Sequence, residues 1–125
     1  MDPRMIVFVF IGGGLGSVSR FLLGLYMWKL FPGFPAGTIV VNLLGTFLIG
    51  MVSIVAGEKM LIHPPVRELL QVGFLGGLTT FSTFGLEMVL LYNQSRYMEL
   101  TLYTLANVVL GVALVVVGRN MARVF

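Results

Sequence analysis

The stretch GFLGGLTTFSTFG, residues 73–85, sets four glycines and four hydroxyl residues inside a run otherwise apolar enough to cross a membrane. Gly76 and Gly77 each forgo about 1 kcal/mol of helix propensity relative to alanine, and Thr79 and Thr80 add β-branched stiffness and hydroxyls that compete for backbone partners. The helix is expected to break here. In lipid a break exposes amides and carbonyls that no water can satisfy, so it must be buried in protein or line an aqueous cavity. Freed carbonyls can coordinate a cation, and the N-terminus of a helix restarting near Phe81 carries partial positive charge that attracts an anion. Phe81 and Phe84 stand beside Ser82 and Thr83. A phenylalanine ring has a positive edge, so ring edges and hydroxyls together can hold an anion without a full positive charge; core packing of the two rings is the competing explanation. The glycine-rich run is not a nucleotide loop, because the Lys of G-x-x-x-x-G-K-[ST] is missing.

Side chains four apart share a helix face, and this spacing collects small and polar residues into stripes. Gly12, Gly16, Arg20 and Gly24 form one; Thr38, Asn42, Thr46 and Gly50 a second; Tyr103, Asn107 and Gly111 a third. Past the glycines of the third helix, Phe81, Phe84, Gly85, Glu87 and Met88 fall on one side. For Gly12 and Gly16 the favoured explanation is close helix packing. Asn42 and Asn107 fit two roles equally, a hydrogen-bonded link between helices or the lining of a polar path. Arg20 and Glu87 each cost about 2.5–3.5 kcal/mol at membrane depth, which implies that they face the bundle interior or water and serve function. The structural alternative is a position near a helix end, where the charged head reaches headgroups.

The elements that position these residues follow from composition. The chain has 125 residues, of which 58% are hydrophobic and only 10% charged, with a mean hydropathy of +1.00. A soluble domain is about 25% charged, so this is an all-α membrane protein. A crossing needs about 20 residues. Prolines and charges divide the chain into four, at about residues 4–30, 36–57, 66–92 and 97–119, in one transmembrane domain with the third helix broken mid-membrane. The opening MDPRMIVFVFIGGG resembles a secretory signal, but apolar character continues past Gly16 and no small-residue cleavage motif follows, so it reads as a retained helix.

The net charge of +3 suggests no nucleic-acid partner, because the Lys and Arg residues are scattered rather than clustered. With no cysteine there is no disulfide or thiolate site, and the single histidine, His63, sits in a proline-flanked loop ill-suited to a metal. No nucleophile, base and orienting group recur together, so enzyme activity is not expected. An even number of crossings puts both termini on one side. That side carries Arg4, Lys59, Arg67, Arg119 and Arg123 against Lys29 and Arg96 opposite, which favours cytoplasmic termini, although moving two charges would nearly erase the bias.

The motifs GGGLGSVSRF at 12–21, GTIVVNLLG at 37–45 and GFLGGLTTFSTF at 73–84 are similar to those of the Fluc/CrcB fluoride channels, and the resemblance covers essentially the whole chain. It implies a small four-helix subunit of the cell inner membrane that pairs antiparallel with a second copy, in dual topology, with two fluoride pores along the homodimer interface. On that resemblance Asn42 contacts fluoride through its amide, and Phe81 and Phe84 are ring-edge fluoride ligands. Gly76 and Thr79 supply backbone carbonyls to a structural Na+ at the dimer centre. Thr38, Ser82, Thr83 and Glu87 are polar residues near the pore, Arg20 belongs to the vestibule, and Tyr103 and Asn107 continue a polar track in the fourth helix. Asn107 stands where a Ser is more usual, and Gly111 removes a common hydroxyl, so the lower track is expected to be lined differently. An orientation-neutral subunit should show little positive-inside bias, against the bias counted above.

The leading expectation is passive, fluoride-selective export that lowers cytoplasmic fluoride. A proton-coupled exporter of organic cations, similar to the small multidrug transporters, is the second; it needs a carboxylate where the first helix has Arg20, with Glu87 the only substitute. A non-transporting accessory subunit, with the stripes as packing seams, is the third.

Overall fold

A computed structural model describes residues 1–125 and is all-helical. Four helical spans are long and apolar enough to cross a membrane: Pro3–Leu30, Ala36–Glu58, Pro64–Asn93 and Tyr97–Val124. They make the chain a multi-pass membrane protein.

Each span starts and stops for local reasons. Asp2 accepts the Arg4 amide at 2.9 Å and so caps the first helix, while Pro3 occupies a position whose amide needs no partner. Hydrogen bonding from the Arg4 side chain holds the Asp2 carboxyl below the usual carboxylate range. The first turn between spans is made at Gly33, whose φ of +80° favours a residue without Cβ. Pro64 opens the third span ahead of the expected Val66. The fourth span continues past Arg119 to Val124, where Arg119 and Arg123 reach Glu58 of the second span at 3.2 and 2.9 Å. Three stretches, Ser53–Glu58, Leu69–Leu75 and Ala106–Leu110, take π-helical hydrogen bonding.

Within the third span, α-helical geometry covers Gly76–Leu78 and resumes at Ser82–Asn93. Between them Thr79 is extended, with φ −84° and ψ 159°. The part before this point packs along the first helix. Ser82–Asn93 instead packs on Tyr97–Leu105 and leaves the first helix, opening space between them.

Glycine governs the close contacts. A Cβ on Gly12 would fall on the carbonyl oxygen of Leu69, and one on Gly16 on that of Phe74. From the opposite side, a Cβ on Gly77 would lie 2.6 Å from Gly13 O. Backbone therefore meets backbone between the first and third spans, as small residues permit in membranes. The second and fourth spans repeat the device: a Cβ on Gly118 would strike Phe47 O, and one on Gly50 would strike Val115 O.

Around these seams lie two small clusters. Val41, Leu75 and Leu78 form one, with Leu23, Leu48 and Phe74 against it; Phe84, Leu91 and Tyr103 form the other, with Phe34, Ile39 and Met88. Only 19 of 125 residues are buried, so most apolar side chains face outward toward lipid or another protein surface.

These contacts set a stability test. Gly16→Ala should cost about 1–3 kcal/mol through overpacking, whereas Gly14→Ala, whose Cβ meets nothing within 4 Å, should change stability by about 0.5 kcal/mol or less, or gain slightly from helix propensity. Thermal unfolding of the purified protein in detergent checks both.

Candidate functional site

The site is built around the backbone that leaves the helix at Thr79. Thr79 still donates its amide to Leu75 O at 3.1 Å, and its hydroxyl donates to the same oxygen at 2.9 Å. Beyond it, side chains supply the missing partners. The Thr80 amide donates to Asn42 Oδ1 at 2.8 Å, and Asn42 Nδ2 donates to Thr80 O at 3.1 Å. One carboxamide thus serves both polar groups of one residue. Arg20 Nε donates to Gly77 O at 3.0 Å. Thr80 Oγ1 accepts the Thr83 amide at 3.2 Å, satisfying one of the free amides in the first turn of the resumed helix, whose N-cap residue, Phe81, makes no side-chain cap.

A polar line crosses the bundle from this point. Asn42 Nδ2 also donates to Asn107 Oδ1 at 2.8 Å, and Asn107 Nδ2 donates to Tyr103 O, one turn earlier, at 2.9 Å. On the other side Thr38 Oγ1 donates to Glu87 Oε1 at 2.6 Å. Glu87 Oε2 and the Tyr103 hydroxyl are buried without hydrogen-bond partners. Such orphans are rare and mark strain, a missing water or a functional role.

The two phenylalanines occupy different surroundings. Phe84 is buried at 4% exposure and lies 5.4 Å, centroid to centroid, from the ring of Tyr103, itself fully buried. Phe81 is 80% exposed. Their rings are nonetheless 5.8 Å apart and inclined at 70°, edge to face. Phe81 is the N-cap residue of the resumed helix, three positions before Phe84, so the spacing that puts the two on one side holds; they differ in exposure because Phe84 packs against Tyr103. Ser82 is exposed, its hydroxyl 3.4 Å from that of Thr80.

Two open clefts meet here. One, of about 450 Å³, is lined by Arg20, Trp28, Thr38, Thr80, Glu87 and Arg96, among others. It fills the space that Ser82–Asn93 leaves beside the first helix. The other, of about 350 Å³, includes Asn42, Gly76, Thr79, Phe81, Phe84 and Asn107 and no charged side chain. Thr80 lines both. The first cleft therefore offers cationic groups and one carboxylate, and the second offers amides, hydroxyls, backbone and ring edges. Gly76 and Thr79 share the second cleft, and the chain has no cluster of three or more His, Cys, Asp or Glu. A cation bound there would meet neutral oxygen donors, carbonyl and hydroxyl, a set that suits a hard ion.

The structure thus brings Thr38 to Glu87, Asn42 to Asn107 and Phe84 to Tyr103, and places Arg20 on the backbone before the interruption. Thr80 and Arg96 join the site, although the sequence marked Thr80 only as a helix breaker and Arg96 only as a flanking charge. Thr80 had a signal in its position beside the expected break. Arg96, in a turn and hydrogen-bonded to Gln94 and Glu99, had none.

The Thr38–Glu87 bond is directly testable. Thr38→Val should destabilise the protein by about 1–3 kcal/mol by leaving a buried carboxyl oxygen without its donor, while Thr38→Ser should retain most of the stability, both read by thermal unfolding.

Comparison with known proteins agrees with this architecture. Residues 7–119 match the family described as CrcB-like protein, Camphor Resistance (CrcB). The chain is 44% identical over 111 residues to the Fluoride-specific ion channel FluC of Hydrogenobaculum sp. (strain Y04AAS1), covering 89% of this chain and 91% of that one. It is 38% identical over 115 residues to Fluoride-specific ion channel FluC 1 of Staphylococcus aureus (strain bovine RF122 / ET3-1), covering 92% and 93%. It is also 38% identical over 115 residues to the FluC of Vibrio campbellii (strain ATCC BAA-1116), covering 91% of each. With its four apolar spans and a family match across nearly its whole length, the chain belongs to the CrcB family.

Proposed function

We propose that this protein is a fluoride-selective channel that passively exports fluoride across the cell inner membrane. Relatives at 38–44% identity carry that name. The observation that carries the reading is the cleft in which Asn42, Asn107, Phe81 and Phe84 meet without a charged neighbour. Moving a small ion into an idealised low-dielectric medium costs about 20 kcal/mol, so a conducting path must replace its water continuously. Amide hydrogens, hydroxyls and ring edges do so weakly enough to let the ion leave. A neutral lining also withholds the cationic walls that suit larger anions. Arg20 and Arg96 in the adjoining cleft would draw anions toward the neutral one.

A lone chain is not the working unit in this reading. Phe81 and Gly76 are exposed, and a polar cleft cannot face hydrocarbon, so a second copy covers it. We place the two copies antiparallel in dual topology, with the interruption at Thr79 near mid-membrane and one pore on each side of the interface. Carbonyls of Gly76 and Thr79 from both copies would hold a structural Na+ where they meet, contributing fixed positive charge near the pores. The positive-inside bias of the flanks is the feature least suited to this arrangement; it rests on few charges.

The exporter of organic cations finds no support among the named relatives. Its only candidate carboxylate, Glu87, is bound to Thr38, and its expected position on the first helix holds Arg20 bound to Gly77.

Liposomes containing the protein and loaded with fluoride should discharge rapidly when a potassium ionophore is added, and chloride-loaded liposomes should not. Phe81→Ile should lower the fluoride rate at least tenfold with the oligomer unchanged by size-exclusion chromatography. Retention of fluoride by the wild-type liposomes would defeat the proposal.

A further inference from the structure

The orientation of the Asn42 amide is dictated at both ends by donor and acceptor valence. The Thr80 amide can only donate, so it must face Asn42 Oδ1. The Tyr103 carbonyl can only accept, so it must face Asn107 Nδ2, which leaves Asn107 Oδ1 directed at Asn42. Asn42 meets that oxygen with Nδ2, whose other hydrogen goes to Thr80 O. Both donors and the acceptor of Asn42 are therefore committed. Asn107 is anchored to its own helix and buried at 9% exposure, so it is the fixed end of the chain and Thr80 the irregular end.

We propose that Asn107 is a positioning residue: by taking one Asn42 hydrogen it fixes the amide that clamps the non-helical Thr80 backbone, and so shapes the wall shared by the two clefts. This deepens the channel reading and rests on it for its functional consequence. An anion that takes an Asn42 hydrogen must replace either Asn107 Oδ1 or Thr80 O. The Asn107 bond thereby adjusts how readily Asn42 serves an ion, an effect that runs through Asn42.

The test is a double-mutant cycle read by hydrogen exchange at the Thr80 amide in the full-length protein. Asn107→Val should raise exchange at Thr80 at least tenfold without altering exchange at Val41, a buried residue of the second span. Asn42→Ala should raise it similarly, and the double variant should exchange no faster than Asn42→Ala alone. Fluoride efflux from Asn107→Val liposomes should fall at least tenfold, because the released amide no longer holds the Thr80 wall; a rise would mean that Asn107 only competes with the ion for Asn42, and would overturn the positioning role. Should Asn107→Val fail to assemble, Asn107→Ala serves in its place: it removes the oxygen that Asn42 donates to without adding bulk, so the same non-additive pattern is expected. Unchanged Thr80 exchange in the Asn107 variant, or effects that multiply in the double variant, would overturn the proposal. Absence of fluoride efflux from the wild type would instead overturn the channel reading, and the exchange measurement would still decide the positioning role.

Discussion

Every peptide group that leaves a helix inside a bilayer must find a partner within the protein, because hydrocarbon offers none. In the channel reading this constraint organises the centre of the molecule. When Thr79 turns extended, the polar groups around it become the problem, and three side chains from three places answer it. Asn42 takes both backbone groups of Thr80, Arg20 takes Gly77 O, and the Thr80 hydroxyl takes the Thr83 amide in the first turn of the helix that resumes. The residues that look most functional from their polarity are thus first of all the partners of irregular backbone. A site assembled this way is held by its own hydrogen bonds, which fixes the geometry an ion would meet.

The glycine seams supply the complementary half of the design. Backbone contact joins the first span to the third before Thr79, and the second to the fourth. Neither seam extends to Ser82–Asn93, which follows the start of the fourth span instead. Tight packing on one side of the interruption and divergence on the other produce two clefts from four helices, without an added domain or long loop. Phe84, stacked near Tyr103 in the second core cluster, ties the diverging segment back to the bundle.

Much of this was legible in the residues. Apolar runs bounded by Pro32, Pro35, Pro64 and Pro65 mark the spans, and the four-residue spacing of Thr38 with Asn42 and of Tyr103 with Asn107 places each pair on one face. Gly12 and Gly16 are the packing residues their spacing implies. The pairing between stripes was not legible. Thr38 and Glu87 are 49 residues apart and Asn42 and Asn107 are 65 apart, and periodicity within a helix says nothing about which faces meet. The separate surroundings of Phe81 and Phe84 were hidden for a related reason: a shared helix face does not say that Phe84 packs on Tyr103 while Phe81, at the helix start, stays exposed. The π-helical stretches have no compositional signature, so the register changes they impose, including the one at Asn107, come only from the structure.

The participation of Thr80 in both clefts has an electrical consequence. Were water to fill both clefts, each reaching it from a different face of the membrane, the insulating layer at this spot would thin from about 30 Å of hydrocarbon to little more than one peptide unit. Most of a transmembrane voltage would then drop across that partition, and an ion crossing it would gain or lose about 2.3 kcal/mol per 100 mV within a few bond lengths.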